Sequence, residues 1–271
     1  MSGARLGGST FSFMWQEPAL AAMRRMRPIG LSEFDIIAAP GHLWPEELGS
    51  AARVELRRAL EADGIRIESL NLPAIDLNLT SCVKDVRDYA VDRYTAVIRL
   101  GAELGGSGVV VVPGRISALL PPHPEDTWRW LLDSTDRLLR RAEEAGQVLH
   151  VESHPQTSIP SAESISRFLA QFETPRLMVA YDVANAEFIG ENQVAAIRRL
   201  APRIGQVHLS DSTRTTWRHD RAGLGSVDFP AIVAALDEVG YNGLRVIEVI
   251  SPNPIADIEA TIRAVSGRAG A

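Results

Sequence analysis

The sequence predicts a single (β/α)8 barrel, and three observations predict it. Strand-like and helix-like segments alternate along the whole chain, which is the pattern of parallel α/β architecture. The segments count to eight strands and eight helices. Four late strands end on ionisable residues, Glu152, Asp182, His208 and Glu248, at separations of 30, 26 and 40 residues. Those are the lengths of successive strand–helix units whose tips converge on one mouth.

The chain has 271 residues and 45% hydrophobic content, enough for one large core. One domain over residues 1–271 is expected, with no linker or low-complexity tract. Strand one is read at Arg5–Phe11 and strand two at Leu31–Ile37. Pro45 suits the first position of a helix in which Leu48, Ala52, Leu56 and Leu60 share a face and Gly64 marks the stop. Strand three is Ile65–Asn71, and a long helix over Lys84–Leu104 carries Val86, Tyr94, Ile98 and Ala102 on one side. Val109–Val112 is four valines in a row, as expected of a strand covered on both faces. The next helix, Asp126–Ala145, stops at Gly146, and strand five is Val148–Glu152. Ser161 caps a helix with Ile165, Phe168, Leu169 and Phe172 inward. Strand six is Leu177–Asp182, followed by a helix through Val194, Ile197 and Leu200. Strand seven is Gly205–Leu209, Asp228 caps the following helix, strand eight is Leu244–Val249, and Ile255–Val265 closes the chain.

Composition removes several classes. A net charge of −6 is a poor match to nucleic acid, whose binders carry a basic stripe. No apolar run reaches the length of a membrane span, and the N-terminus lacks the apolar core of a signal peptide, so a cytoplasmic protein is expected. Cys82 is the single cysteine and cannot form an intrachain disulfide. Lys84 is the single lysine and opens a polar helix, which argues against Schiff-base chemistry.

Strand parity turns the ionisable set inward. In VLHVESHP, Leu149 and Val151 share one face, and His150, Glu152 and His154 share the other. His208 shares a face with Gln206 and Ser210, and Glu248 with Val246 and Ile250. Buried carboxylates need a partner, and the strand tips supply no matching Lys or Arg. Three carboxylates and one imidazole form a hard, mostly oxygen ligand set for one divalent metal, Mn²⁺, Co²⁺ or Mg²⁺ by preference, with Zn²⁺ also accepted.

The segments HVESHP, YDVANA, GQVHLSD, GLGSVDFPAIVAALDEVGYNGLRVIEV, IESLNLPAIDLNLTS and VVVVPGR resemble the sugar phosphate isomerase/epimerase family of the xylose-isomerase-like barrel superfamily. The resemblance covers nearly the whole chain and implies that Glu152, Asp182, His208 and Glu248 bind one catalytic divalent metal. It also implies an isomerase or epimerase acting on a sugar or polyol-derived keto substrate. Glu152 and Glu248 would be proton acceptor and donor around an enediolate. Barrels of this family often pair, so a homo-oligomer is compatible with the chain.

Further residues are expected at the mouth. His154 and Asn185 lie just past strands five and six; free-ketose epimerases usually carry His at the Asn185 position. Arg221, in the loop STRTTWRHDRAGLG, is the first choice to clamp a substrate oxygen or phosphate. Trp15, His42 and Trp44 would line an apolar wall, and Asp211 would orient His208. No Gly-rich phosphate cradle stands out. The competing readings are a dehydratase or lyase on a keto-inositol or keto acid, and a non-catalytic sugar-binding barrel. An AP endonuclease of the same superfamily is disfavoured, because strands three and four lack the histidines of a three-metal site.

Overall fold

The computed structural model describes residues 5–73 and 75–266; the ends of the expected 1–271 domain lie outside these residues. Eight parallel strands close into a barrel in sequence order. They are β1 (Leu6–Ser9), β2 (Glu33–Ile37), β3 (Arg66–Leu72), β4 (Gly108–Val111), β5 (Val148–Glu152), β6 (Leu177–Asp182), β7 (Ile204–Leu209) and β8 (Leu244–Ile247). Closure is made by Gly7 against Val246 and Gly8 against Ile247. The helices are α1 (Ala19–Met26), α2 (Ser50–Ala62), α3 (Lys84–Glu103), α4 (Pro124–Glu144), α5 (Ala162–Leu169), α6 (Val183–Phe188), α7 (Gln193–Leu200), α8 (Phe229–Glu238) and α9 (Pro254–Val265). Among the described residues, no helix is long and apolar enough to cross a membrane.

The expected elements recur with local differences. β8 ends at Ile247, the last residue registered with β1 and β7, so Glu248 stands one residue past the ladder, its N–H donating to Leu209 O at 3.1 Å. Pro45 begins a short 3-10 turn, and α2 starts at Ser50. The β6–β7 connection holds two helices instead of one, because Asp182 accepts from the Asn185 N–H at 2.8 Å and caps α6 directly at the strand tip. Val86 is exposed, while Tyr94 is buried and its hydroxyl ties β3 to β4 by donating to Leu72 O and accepting from Val112 N–H.

Two layers result. Between strands and helices the packing is apolar, with Leu149, Val151, Phe168, Tyr181 and Ile197 fully or nearly fully buried. The lumen is polar, holding Asp35, Ser69, Asn71, His150, Gln206 and His208, all buried. His150 lies deep in that lumen, where Gly108 and Gly205 leave room for its ring. A Cβ on Gly205 would stand 2.3 Å from His150 Nδ1, and one on Gly108 would stand 2.6 Å from Nε2. Overpacking a filled interior costs about 1–3 kcal/mol, so Gly205→Ala lowers stability by that order. Shortening the obstacle in Gly205→Ala/His150→Ala recovers part of the loss. Denaturant titrations of both singles and the double check this coupling; strictly additive losses would clear His150 as the obstacle.

Candidate metal centre and mouth

Four side chains meet where the strand tips converge. Glu152 ends β5, Asp182 ends β6, His208 sits near the end of β7, and Glu248 follows β8. One ligand atom from each lies within 4.8 Å of all the others, and all four residues are buried. His208 Nδ1 is 3.1 Å from Glu248 Oε2, 3.7 Å from Glu152 Oε1 and 3.8 Å from Asp182 Oδ2. The cap on α6 occupies Asp182 Oδ1. Asp182 Oδ2 and Glu248 Oε1 are buried without a hydrogen-bond partner, a costly state for charged oxygens.

The cluster is electrostatically stressed. Burial opposes charge on His208, but Glu248's charge and hydrogen bonds to Glu152 and Glu248 outweigh it and hold the imidazole well above the ordinary histidine range. Burial is also the largest influence on Glu248, whose carboxyl is pushed up to about 7 against the opposing charge of His208. Glu152 is raised by burial, yet hydrogen bonding and the charge of His208 bring it below the usual carboxylate value. One imidazolium cannot neutralise three carboxylates. A divalent cation can, and three acidic oxygens plus one imidazole nitrogen suit it. The residues fit a metal ion.

Above the cluster is a cavity of about 600 Å³ whose walls include Glu152 and Glu248. Its polar lining includes Asn71, Arg115, His154, Arg218 and His219; Phe11, Ile75, Trp217 and Ile250 supply apolar surface. His154 is at the mouth, as expected, its ring edge-on to Trp217 at 4.9 Å. Asn185 also lines the cavity, but both ends of its amide are engaged: Nδ2 donates to Ser153 O and Oδ1 accepts from Trp217 Nε1 at 2.7 Å. It therefore fixes the indole, which also stacks on Phe188.

Several expectations are corrected. Arg221 turns outward, its Nε 3.4 Å from Asp257 Oδ1, and Arg218 borders the cavity instead. Trp15 is 71% exposed and lines no part of the mouth. His42 and Trp44 border a separate hollow with Leu20, Met23, Leu48 and Leu56. There, His42 Nδ1 donates to Glu17 O, and Nε2 accepts from Thr10 Oγ, which itself accepts from Ile37 N–H. Its role is to tie the β2–α2 loop to the β1–α1 loop. Asp211 does not touch His208; its carboxylate accepts the N–H groups of Ser212, Gly223 and Val227 and staples the β7–α8 loop. On its other ring nitrogen, away from Glu248, His208 is met by Gln206 at 2.8 Å.

That stapled loop contributes His219, which the sequence reading did not select. Its Nδ1 lies 3.1 Å from Ser210 Oγ, 3.7 Å from Asp182 Oδ2 and 3.6 Å from Glu248 Oε2. Nothing in the loop's period singles it out from its Arg and Asp neighbours. Asp35 and Asn71 were also passed over, although parity within EFDII and SLNL places them on the lumen face.

A barrel with four convergent side chains that could hold a metal ion at the C-terminal tips of β5 to β8 defines the class, and the comparisons agree on the fold. The chain belongs to the xylose isomerase-like TIM barrel family, whose profile matches residues 24–266. One relative is an inosose dehydratase of Geobacillus thermodenitrificans, 27% identical over 231 residues, covering 74% of this chain and 75% of that one. Among solved structures, a D-tagatose 3-epimerase-like protein superposes with a TM-score of 0.83 at 20% identity, covering 96% of each chain. A 3-keto-D-glucoside 4-epimerase from E. coli gives 0.81 at 18% identity, covering 97% of this chain and 99% of that one. The structural likeness carries the fold.

The reassignment of His42 has a measurable consequence. Burial holds its pKa below the ordinary value. The unfolded chain takes up a proton near pH 6.5 that the folded chain refuses. The stability His42 contributes is thus fully present above about pH 6.5 and is lost as pH falls below it, towards the depressed folded value. His42→Gln removes this titration. Urea denaturation between about pH 7 and pH 5 should show a shallower loss of unfolding free energy in His42→Gln than in wild type; identical slopes would mean that His42 protonates freely in the fold.

Proposed function

We propose that this protein is a divalent-metal-dependent isomerase or epimerase acting on a sugar or polyol-derived keto substrate. The observation that carries the reading is the Glu152–Asp182–His208–Glu248 cluster at the floor of the cavity. A divalent cation held there, Mn²⁺, Co²⁺ or Mg²⁺ by preference, would supply positive charge where a carbonyl oxygen becomes an oxyanion. The chain's own groups handle the proton. One of Glu152 and Glu248 accepts it from the carbon next to the carbonyl, and the C–H electron pair becomes the C=C bond of an enediolate. The other carboxyl returns a proton, to the same carbon for epimerisation or to the former carbonyl carbon for isomerisation, in which case the neighbouring hydroxyl passes its proton to the former carbonyl oxygen and becomes the new carbonyl. Asn71, His154 and Arg218 offer hydrogen bonds to hydroxyls, and Trp217 offers a flat apolar face, a combination suited to a sugar ring or chain.

A second reading is dehydration. It shares the first step; the β C–O bond then breaks and the departing oxygen takes a proton to leave as water. Two observations favour it: His219 stands beside Asp182 and Glu248 as a further polar group, and a sequence relative is named an inosose dehydratase.

Two measurements test these readings. Incubating the Mn²⁺-loaded protein in D₂O with ketoses, keto-inositols and keto acids should place deuterium on a substrate carbon. Recovery of an epimer or isomer marks the first reading, and an unsaturated or diketo product marks the second. Glu152→Gln should lower turnover by about 10²–10⁴-fold while leaving the fold intact. Exchange with none of these substrates would overturn both readings.

Metal binding itself is read by thermal unfolding. At about 100 times the dissociation constant, Mn²⁺ adds roughly 2.7 kcal/mol to stability. Asp182→Asn, which preserves the cap on α6 because Asn caps as well as Asp, should lose most of that gain, as should Glu248→Gln. An undiminished gain in both would place the metal elsewhere.

A further inference from the structure

A chain of buried polar groups crosses the lumen behind His208. The amide nitrogen of Gln206, two residues earlier on the same face of β7, stands 2.8 Å from ring Nε2 of His208, the nitrogen turned away from the carboxylates. The far end of that amide is 2.9 Å from Ser69 Oγ on β3. Ser69 Oγ in turn hydrogen-bonds Asp35 Oδ1 on β2, and Asp35 Oδ2 accepts from Asn71 Nδ2 at 3.0 Å. Asp35, Ser69, Gln206 and His208 are each 0% exposed. None of the first three touches the cavity, so substrate contact does not explain them.

We propose that Asp35, Ser69 and Gln206 are positioning residues that fix the orientation and tautomer of His208, keeping a proton on Nε2 so that Nδ1 faces the carboxylate cluster as a ligand. The inference rests on the reading that the cluster holds a metal. The donor count supports it. A nitrogen that ligates a cation carries no proton, so in ligating His208 the proton is on Nε2 and needs an acceptor. A primary amide can present either end. Turning the Gln206 amide over from the orientation in which its nitrogen faces the ring uses each donor once: His208 Nε2–H gives to Gln206 Oε1, Gln206 Nε2–H gives to Ser69 Oγ, and Ser69 O–H gives to Asp35 Oδ1. Asn71 completes the other Asp35 oxygen. The opposite amide orientation donates an amide N–H to Nε2 and so requires the ring proton on Nδ1, which a ligating Nδ1 cannot carry. The chain ends on Asp35, whose carboxyl is pushed up by burial, while the hydrogen bonds from Ser69 and Asn71 favour its charged, accepting form and anchor the direction of the row. It spans three strands, β2, β3 and β7, that are not all neighbours in the sheet, so the row also braces the ligand against the far wall.

The test uses the full-length protein in two forms. In metal-free protein with ¹⁵N-labelled histidine, at a pH high enough for the His208 ring to be neutral so that its tautomer can be read, the His208 signal is compared between wild type, Gln206→Leu, Ser69→Ala and Ser69→Thr. In parallel, Mn²⁺ affinity is measured by competition with a metallochromic chelator. The wild type should show a protonated Nε2. Gln206→Leu and Ser69→Ala should alter that signal and weaken Mn²⁺ binding by about 10–100-fold, the usual effect of removing the group behind a metal-ligating histidine. Ser69→Thr, which keeps the hydroxyl, should stay close to wild type in both. Asp35→Asn is the conservative cut should Ser69→Ala fail to fold; it leaves an acceptor for Ser69 but removes the charge that orders the row, and should fall between wild type and Gln206→Leu. Unchanged Nε2 signal and unchanged affinity in Gln206→Leu would overturn the proposal, as would a Ser69→Thr that fails like Ser69→Ala. A wild type that binds no Mn²⁺ while Gln206→Leu still loses the Nε2–H signal would uphold the relay and reject the metal reading, so the two fail separately.

Discussion

Three carboxylates held within 4.8 Å of one another in a buried site form the constraint on which the rest of this barrel depends. Like charges at that spacing repel strongly once water is removed. The single imidazole among them offsets one charge, and burial drives Glu248 towards its neutral form. The barrel supplies the rigidity that keeps the groups from relaxing apart. Each sits at or beside the end of a strand whose backbone is locked in register by two neighbours. Asp182 is fixed further by capping α6. The helix is thereby tied to the same carboxylate that faces the cluster, which joins the stability of the β6–β7 connection to the geometry of the centre.

The mouth is built differently, on loops rather than strand ends. The β7–α8 loop would be free to move were it not pinned by Asp211, which accepts three backbone N–H groups with one carboxylate. An antiparallel bridge between Asp211 and Asp220 closes the segment between them. The pinned loop presents Trp217, Arg218 and His219 together, and Asn185 reaches from α6 to hold the indole. Floor and mouth are therefore coupled through α6: Asp182 begins it and Asn185 lies in its first turn. A displacement of Trp217 acts on a helix whose cap, Asp182, belongs to the carboxylate cluster.

This division explains what was legible in the sequence. The four cluster residues were legible because strands impose a period of two and end abruptly, so an acid or histidine at the end of an apolar run has only one place to go. β5 and β6 fell where the apolar pattern placed them, since both of their faces are packed. Loop residues obey no such period. Arg221 and Arg218 are three apart in one loop, and only the three-dimensional path, with Asp257 on α9 drawing one away, separates them. His42 was misplaced for a related reason: the Ala39–Leu43 turn folds back against α1, a local reversal that no hydrophobic spacing encodes. The lumen residues Asp35 and Asn71 obey the same parity as Glu152, but neither stands as an acid at the end of an apolar run, so the strand-tip signature that marks Glu152 is missing from them.

The polar lumen bears on function as much as the cluster does. A barrel interior can be filled with branched apolar side chains, which is the common solution. Here the layer beneath the cluster contains Asp35, Ser69, Asn71 and Gln206, and each buried polar group costs stability unless its partners are complete. Such a layer persists as a stable element only when every donor finds one acceptor, and that condition also sets which nitrogen of His208 carries a proton. The apolar alternative would leave the imidazole free to turn. A ring that turns can offer either nitrogen to the carboxylates, and the ligand set would no longer be defined. Specifying one orientation of one histidine is a sufficient physical reason for a chain of this family to keep polar residues where packing alone would favour valine or leucine.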